Sequence, residues 1–422
     1  MPRRKLGTRA RAAWSDVAVR AGLGTSWLSP KLGLGGGSII GGRVTLALDR
    51  GALARLAVGR RIVLVSGTNG KTTTSHLLAA ALRTAGPVAH NSSGANMPDG
   101  AVAALSAARD AKLAVIEVDE LHVAEVAEAV DPVAIVLLNL SRDQLDRGNE
   151  VRSVAKALSQ ALAHHPETTV IANADDPMVV WAALPAAHVV WVAAGVGWTG
   201  DVTTCPQCGR TLAVGDGHWA CECGLARPQP TWSAEDGAAV TGGTRTPVAL
   251  NLPGRFNLGN AVMAMAGAAV AGVEPAAAAA AMGAVQEVAG RYSTVWHGRH
   301  ELRLLLAKNP AGWAETLGLL DEARPLLVMI NAREADGRDT SWLWDVPFEE
   351  LGPRPVAAAG ERSPDIGLRL SYAGIEHTTV ADPLGAIAAL PPGKVDVVAN
   401  YTAFHQLQRR LAAAAGNGES RA

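Results

Sequence analysis

Between Arg61 and Thr74 the chain reads Arg-Ile-Val-Leu-Val-Ser-Gly-Thr-Asn-Gly-Lys-Thr-Thr-Thr, and no other stretch narrows the fold as far. The apolar run predicts a buried strand, the glycine-bounded segment a tight turn, and Ser75–Leu82 a helix. A phosphate loop needs this succession, because turn amides and a helix N-terminus then converge on one anion. Gly67, Thr68, Asn69, Gly70, Lys71, Thr72 and Thr73 are therefore the candidate nucleotide-binding residues. Lys71 would set a positive charge on the β- and γ-phosphates, and the Thr72 hydroxyl would serve Mg2+. The general pattern separates its glycines by four residues and would want glycine at Val65; here the loop is the shorter Gly-x-x-Gly-Lys-Thr. The competing reading is an ordinary glycine turn. The expectation is that the chain binds ATP or a close relative.

Downstream, strands and helices alternate, which predicts an α/β fold with a parallel sheet. Leu113–Ile116, Val133–Leu138 and Thr169–Ala172 read as buried strands, each running into polar or acidic residues. Open parallel sheets bind ligands at those carboxyl ends. Glu117 ends the strand after the loop and is the candidate carboxylate for Mg2+, with Asp119 and Glu120 as neighbours. Asp175 and Asp176 fit a helix cap equally well. With 38 Lys and Arg against 39 Asp and Glu, the chain lacks the basic footprint of a nucleic-acid binder, so no nucleic-acid partner is expected. No run approaches the ~18 apolar residues of a membrane span. The four cysteines lie close together in sequence, which points to one metal site rather than disulfides, and a reducing cytoplasm is the expected location.

Residues 1–45 form a basic segment with Arg3, Arg4, Lys5, Arg9, Arg11 and Arg20, read as a surface helix, with contact to an anionic membrane face as the alternative. Gly33–Ser38 imitates a second phosphate loop but follows no strand, so it reads as a connection. The central ATP-binding domain is expected over 46–297 and a C-terminal α/β domain over 298–422. Within the central domain, at about 200–228, Cys205-Pro-Gln-Cys208-Gly and Cys221-Glu-Cys223-Gly predict an inserted ribbon with a closed four-thiolate structural Zn2+ site. His218 is the alternative ligand of a mixed site. Asn257 and Asn260, three apart, could read an adenine edge or cap a helix over Asn260–Val270. Arg291 could reach a phosphate.

These stretches together resemble the Mur ligases, ATP-dependent enzymes that join amino acids or ammonia to carboxylates. The resemblance covers most of the chain and rests on Gly67–Thr73, Glu117, Asn139–Asp146, Asn173–Pro177, Gly254–Asn260 and Gly290-Arg291. Within that superfamily the four-cysteine ribbon, Asn91–Met97, Arg142–Asp146, Lys308–Gly312 and Asp336–Asp345 resemble the MurT-type ligase subunits of lipid II isoglutaminyl synthases. Gln144 and Lys308 stand where many Mur ligases carry His. No long uridine-nucleotide domain precedes the loop, consistent with a lipid-linked substrate. The resemblance implies that ATP phosphorylates the α-carboxylate of D-glutamate in the lipid II stem peptide and that ammonia displaces phosphate to give D-isoglutamine. Peptidoglycan synthesis is the implied context, peripheral to the inner membrane face. All four cysteines belong to the ribbon, so no thiol remains to hydrolyse glutamine. A GatD-like glutamine amidotransferase subunit is the implied partner, and Asp339 the implied orienting acid of its catalytic His, with Asp336 and Asp345 as alternatives. Two other classes compete: a stand-alone, folylpolyglutamate-synthase-like ligase, and a zinc-ribbon binding module with a vestigial ATP site.

Overall fold

A computed structural model of the chain describes residues 8–31, 37–142, 151–195, 203–215, 217–286 and 292–419. They fall into two compact units. The first holds the described residues up to Leu140 with 151–195 and 203–286; the second holds 292–419, with Ser141 and Arg142 grouped alongside.

The first unit opens with helices α1 (Thr8–Lys31), α2 (Gly37–Leu48) and α3 (Ala52–Ala57). The α/β succession then runs β1 (Arg61–Ser66), α4 (Lys71–Leu82), β2 (Val88–His90), α5 (Pro98–Ala107), β3 (Leu113–Glu117), α6 (Val123–Val130) and β4 (Ala134–Leu137). It continues with α7 (Val151–Ala163), β5 (Thr169–Asn173), α8 (Pro177–Ala183) and β6 (His188–Ala193). The ribbon contributes β7 (Ala213–Gly215) and β8 (His218–Ala220). After it come β9 (Trp232–Glu235), β10 (Ala238–Thr241), β11 (Thr244–Pro247), α9 (Phe256–Val270) and α10 (Pro275–Gly283). Nine strands form one sheet in the order β11-β10-β9-β6-β5-β4-β1-β3-β2. β1 pairs in parallel with β3 on one side and β4 on the other, so the winding reverses at the end of β1. An open α/β sheet forms its ligand crevice at such a reversal.

Burial on both faces explains the continuous apolar strands. Ile62 and Leu64 join a core with Val102, Leu105, Val123 and Val126, while Val63 and Val65, equally enclosed, point to the opposite face by strand alternation. On that face α9 comes so close that a methyl on Gly267 would touch Val136 and Leu78. The antiparallel meander β9–β10–β11 extends the sheet beyond β6, an addition that the strand–helix alternation does not predict.

The second unit comprises β12 (Tyr292–His297), β13 (His300–Leu306), α11 (Pro310–Leu317), β14 (Leu326–Met329), β15 (Val356–Ala359) and α12 (Ser363–Tyr372). It closes with β16 (His377–Thr379), α13 (Pro383–Ala389), β17 (Gly393–Ala399) and α14 (Tyr401–Glu419). Its sheet runs β12-β13-β17-β14-β15-β16, parallel except for the β12–β13 hairpin. The expected boundary at 297/298 is corrected here. Gly298, read as a domain start, sits with φ +56° in the turn that joins β12 to β13, so the second sheet already begins at Tyr292. Nor is the 1–45 segment a separate element, because α1 and α2 pack within the first unit, α2 against α5.

Two buried charges of the second unit are held by partners. Asp396, completely enclosed on β17, receives Arg303 through two 2.7 Å bonds and Arg324 at 3.4 Å. Arg369 of α12 donates to the Leu343 and Val346 carbonyls and clasps Glu349, which fixes the 3-10 turns Ser341–Asp345 and Phe348–Glu350.

Candidate nucleotide and metal sites

The loop Gly67–Gly70 leaves β1 at the reversal and enters α4 at Lys71, four residues before the expected helix start. Two glycines are obligatory for its shape. Gly67 has φ +136° and Gly70 has φ +82°, and a methyl on Gly70 would lie 2.6 Å from Asn260 Oδ1. Asn139, just past β4, clamps the turn: its carbonyl accepts from Thr68 N at 2.9 Å, its Oδ1 from Asn69 N at 2.9 Å, and its Nδ2 donates to Asn69 O at 3.1 Å. The first amides of α4 have no partner within the helix, which makes its start an anion site.

Lys71 is only 5% exposed. Its ammonium donates to the Gly67 carbonyl and, at 3.3 Å, to that of Thr68, and it pairs with Glu120 at 2.9 Å. Glu117 ends β3 beside Val65 and is 2% exposed. Asn91 holds its backbone from the neighbouring strand end, accepting from Glu117 N and donating to Glu117 O, both at 2.8 Å. A methyl built on Gly94 would lie 3.5 Å from Thr72 Oγ1 and 3.9 Å from Glu117 Oε2, so both oxygens border one small space. Glu117 Oε2 is buried without a hydrogen-bond partner. An orphaned anionic oxygen facing a hydroxyl fits Mg2+, which takes hard oxygen ligands.

Asn257 and Asn260 lie in the first turns of α9, which begins at Phe256 rather than at 260, so neither caps the helix. Asn257 is wholly enclosed, donating to Pro253 O at 2.6 Å and accepting from Asn260 Nδ2 at 3.1 Å. Its side chain is thereby engaged by Pro253 and Asn260, while Asn260 Oδ1 lies against Gly70 of the loop. Asp176 is the N-cap of α8, accepting from Met178 N and Val179 N, and its Oδ2 accepts from Leu140 N at 2.8 Å. Arg291, with Gly290 and Asp143–Asp146, lies outside the described residues.

The four cysteines gather as expected, with their Sγ atoms all within 4.8 Å of one another. Cys205 and Cys223 stand 3.6 Å apart, Cys208 and Cys221 3.5 Å. A tetrahedron with Zn–S bonds of ~2.3 Å has edges of ~3.8 Å, so the set fits zinc. Two knuckle turns build it: Gly209 N donates to Cys205 O and Gly224 N to Cys221 O, at φ +79° and +93°. The Arg210 backbone N–H lowers the Cys208 thiol to about 7, despite some opposing desolvation. His218 lies exposed on β8 and is not in the ligand group, which sets aside the mixed site. The Trp219 indole donates to Ala174 O at 3.1 Å and Arg227 pairs with Asp175 at 2.7 Å, seating the ribbon beyond β5.

The candidate acids of the second unit differ in kind. Asp336 is buried, with its carboxylate accepting from Thr402 N, Thr402 Oγ1 and Arg333 N. It ties the first turn of α14 to the loop after β14 and is unsuited to face a partner. Asp339 is exposed, and the Ser341 backbone N–H, donating to it at 2.8 Å, holds its carboxyl below the usual range. Asp345 is exposed at the end of the first 3-10 turn.

Asn91 and Asn139 have roles that the sequence alone does not reveal. Their only signal was position, as amides set just beyond β2 and β4.

Comparison with known proteins agrees over nearly the whole length. Residues 65–196 match the Mur ligase middle domain and 306–404 the MurT ligase C-terminal domain. The lipid II isoglutaminyl synthase (glutamine-hydrolyzing) subunit MurT of Streptococcus pneumoniae is 30% identical over 416 residues, 90% of this chain and 93% of that protein. The same subunit of Staphylococcus aureus is 29% identical over 91% of this chain and 95% of its own. A pseudomurein peptide ligase type C from Methanothermus fervidus shares the fold, with a TM-score of 0.66 over 86% of this chain and 80% of that one, at 18% identity. Among the described residues, no helix is long and apolar enough to cross a membrane.

Proposed function

This chain belongs to the MurT family of Mur-type ligases, and from that membership we propose that it amidates the α-carboxylate of D-glutamate in the lipid II stem peptide, giving D-isoglutamine. The observation that carries the reading is the buried, unpartnered Glu117 Oε2 beside Thr72 at the mouth of the phosphate loop. The family uses ATP and Mg2+. The loop and the α4 N-terminus cradle the triphosphate, and Lys71 exchanges Glu120 for phosphate oxygens. Thr72 and Glu117 hold Mg2+, which supplies charge neutralisation when bound. Asn139 keeps the loop amides aimed at the phosphates, and Arg291 adds positive charge.

A carboxylate is a poor electrophile, so a leaving group must be installed. Its oxygen takes the γ-phosphoryl group with release of ADP, giving an acyl phosphate. Ammonia then attacks the carbonyl carbon, phosphate departs and the nitrogen loses a proton. Catalysis is positioning plus charge stabilisation. Ammonia comes from a GatD-like glutaminase subunit, whose catalytic His is oriented by Asp339, exposed and readily ionised. The four-cysteine cluster holds a structural Zn2+.

One experiment separates the roles. The chain, reconstituted with its glutaminase on lipid II, is assayed with glutamine and then with ammonium chloride. Glu117→Gln is expected to lose more than 100-fold with either donor. Asp339→Asn should lose activity with glutamine and keep it with ammonium. Equal loss from both donors would move Asp339 into the ligase site, and full activity of Glu117→Gln would overturn the metal assignment.

A further inference from the structure

Helix α1 is apolar on both sides, which is unusual for a surface helix. Its inner face, with Ala18, Val19 and Gly22, packs on α2 so closely that a Cβ on Gly22 would overlap Thr45 Oγ1 and the Gly41 carbonyl. The outer face carries Val17, Leu23, Trp27 and Leu28, exposed by 54, 37, 64 and 45%, and the flank carries Trp14, whose indole donates to Leu48 O. Between Ala13 and Ser29 the only charged residues are Asp16 and Arg20, and Asp16 is engaged by Arg109.

The segment that carries this face is one-sided in charge. Residues 1–50 hold nine Lys or Arg against two Asp, whereas the whole chain is at −1, so everything that follows is net acidic. We propose that the outer face of α1 seats the protein on an anionic lipid surface, with Trp27 and Leu28 at the headgroup boundary and the basic flanks on lipid phosphates. A single convex helix with scattered large apolar side chains suits a deformable interface, and indoles favour that depth. A cleft on a protein would have to match each side chain, and the basic flanks give it no reason to form.

The location serves the reaction proposed above, and the inference rests on that reading only for its purpose. A Cβ on Gly42 of α2 would overlap the Asp99 carbonyl, and Arg43 pairs with Asp99 at 2.9 Å, so α2 is locked to the first turn of α5. Asn91–Met97, which leads into that turn, borders Thr72 and Glu117. Seating α1 on lipid therefore holds the phosphate site near a lipid-linked carboxylate.

The test is flotation of the full chain with vesicles of pure phosphatidylcholine or with 30% phosphatidylglycerol, containing no lipid-linked peptide. Its result is thereby independent of the amidation reading. Binding is expected only with phosphatidylglycerol, falling at least tenfold between low and high salt. Trp27→Glu and Leu28→Glu should each weaken it at least tenfold with an unchanged thermal transition; Leu368→Glu, an exposed position in the second unit, is the control. Absence of binding, equal binding to both vesicles, or variants that bind like the parent would overturn the proposal. A concentration-dependent dimer broken by Trp27→Glu, without vesicle binding, would assign the face to a second copy instead.

Discussion

Gly70→Ala probes the phosphate loop by backbone geometry alone, without touching any charge. Gly70 sits at φ +82°, ψ −9°, where an L-residue costs about 1–2 kcal/mol. The new methyl would also stand 2.6 Å from Asn260 Oδ1, well inside contact distance. Asn260 must swing aside and give up its 3.1 Å bond to Asn257, worth about 1 kcal/mol. Together these make about 2–3 kcal/mol, or roughly 30- to 140-fold in affinity at 1.4 kcal/mol per decade. The loop can shed the strain by leaving its phosphate-binding shape, so the loss should appear in nucleotide binding and little in global stability. Calorimetric titration with a non-hydrolysable ATP analogue measures the first and thermal unfolding the second. Adding Asn260→Ala to Gly70→Ala removes the clash but leaves the φ cost, so binding should recover only in part. Affinity within twofold of the parent in Gly70→Ala would refute both the conformational requirement and the close approach.

Elemental analysis should find about one zinc per chain, and Cys205→Ser or Cys223→Ser should lower the unfolding temperature, since binding energy at a structural site is folding energy; normal stability of metal-free protein would reject this role. Burial, reinforced by the charges of His76 and Arg83, lowers His90 to about 3, so the folded state holds it neutral. That contribution is present above the unfolded value near 6.5 and is lost as pH falls. Its loss from pH 7 to 5 is about 2 kcal/mol, and a His90→Gln variant with the same fall in denaturant stability would disprove it. Asp396→Asn leaves Arg303 and Arg324 without their shared counter-charge and should cost about 3 kcal/mol in urea unfolding, with less than 1 kcal/mol as the refuting result.

What could be read in the sequence was what is local. The Gly67–Gly70 turn, the strand ahead of it and the cysteine knuckles are specified within a few residues, and each sits where its spacing placed it. Helix starts were less legible. Lys71–Thr74 and Phe256–Gly259 look like loop, yet they are helical because β1 and Gly254 deliver the chain directly into a buried turn. Gly298 gave a boundary signal that belongs to a hairpin, since glycine marks either. Roles that depend on distant pairing were hidden: Asn139 meets the loop from 70 residues away, and Asp336 meets Thr402 from 66. Asp336 and Asp339 lie three apart in one polar loop, and only the fold separates a buried tie from an exposed carboxylate.

The ribbon also sets an order of assembly. β6 and β9 pair in parallel, a connection that a helix usually makes, and here the chain from Ala193 to Trp232 makes it through the cysteine knuckles. Closing about 38 residues of loose chain is slow, because its entropy is lost before any strand contact forms. Tied knuckles shorten that search. β9, β10 and β11 are therefore expected to join the sheet after the ribbon closes, and with them the support for α9, whose Gly259 presses on the Ala194 carbonyl and whose Asn260 abuts Gly70. With zinc as the ribbon's ligand, metal supply would become a checkpoint in biogenesis: a chain that had not closed its ribbon would have a frayed sheet edge, open to proteolysis, and a nucleotide loop lacking its backing.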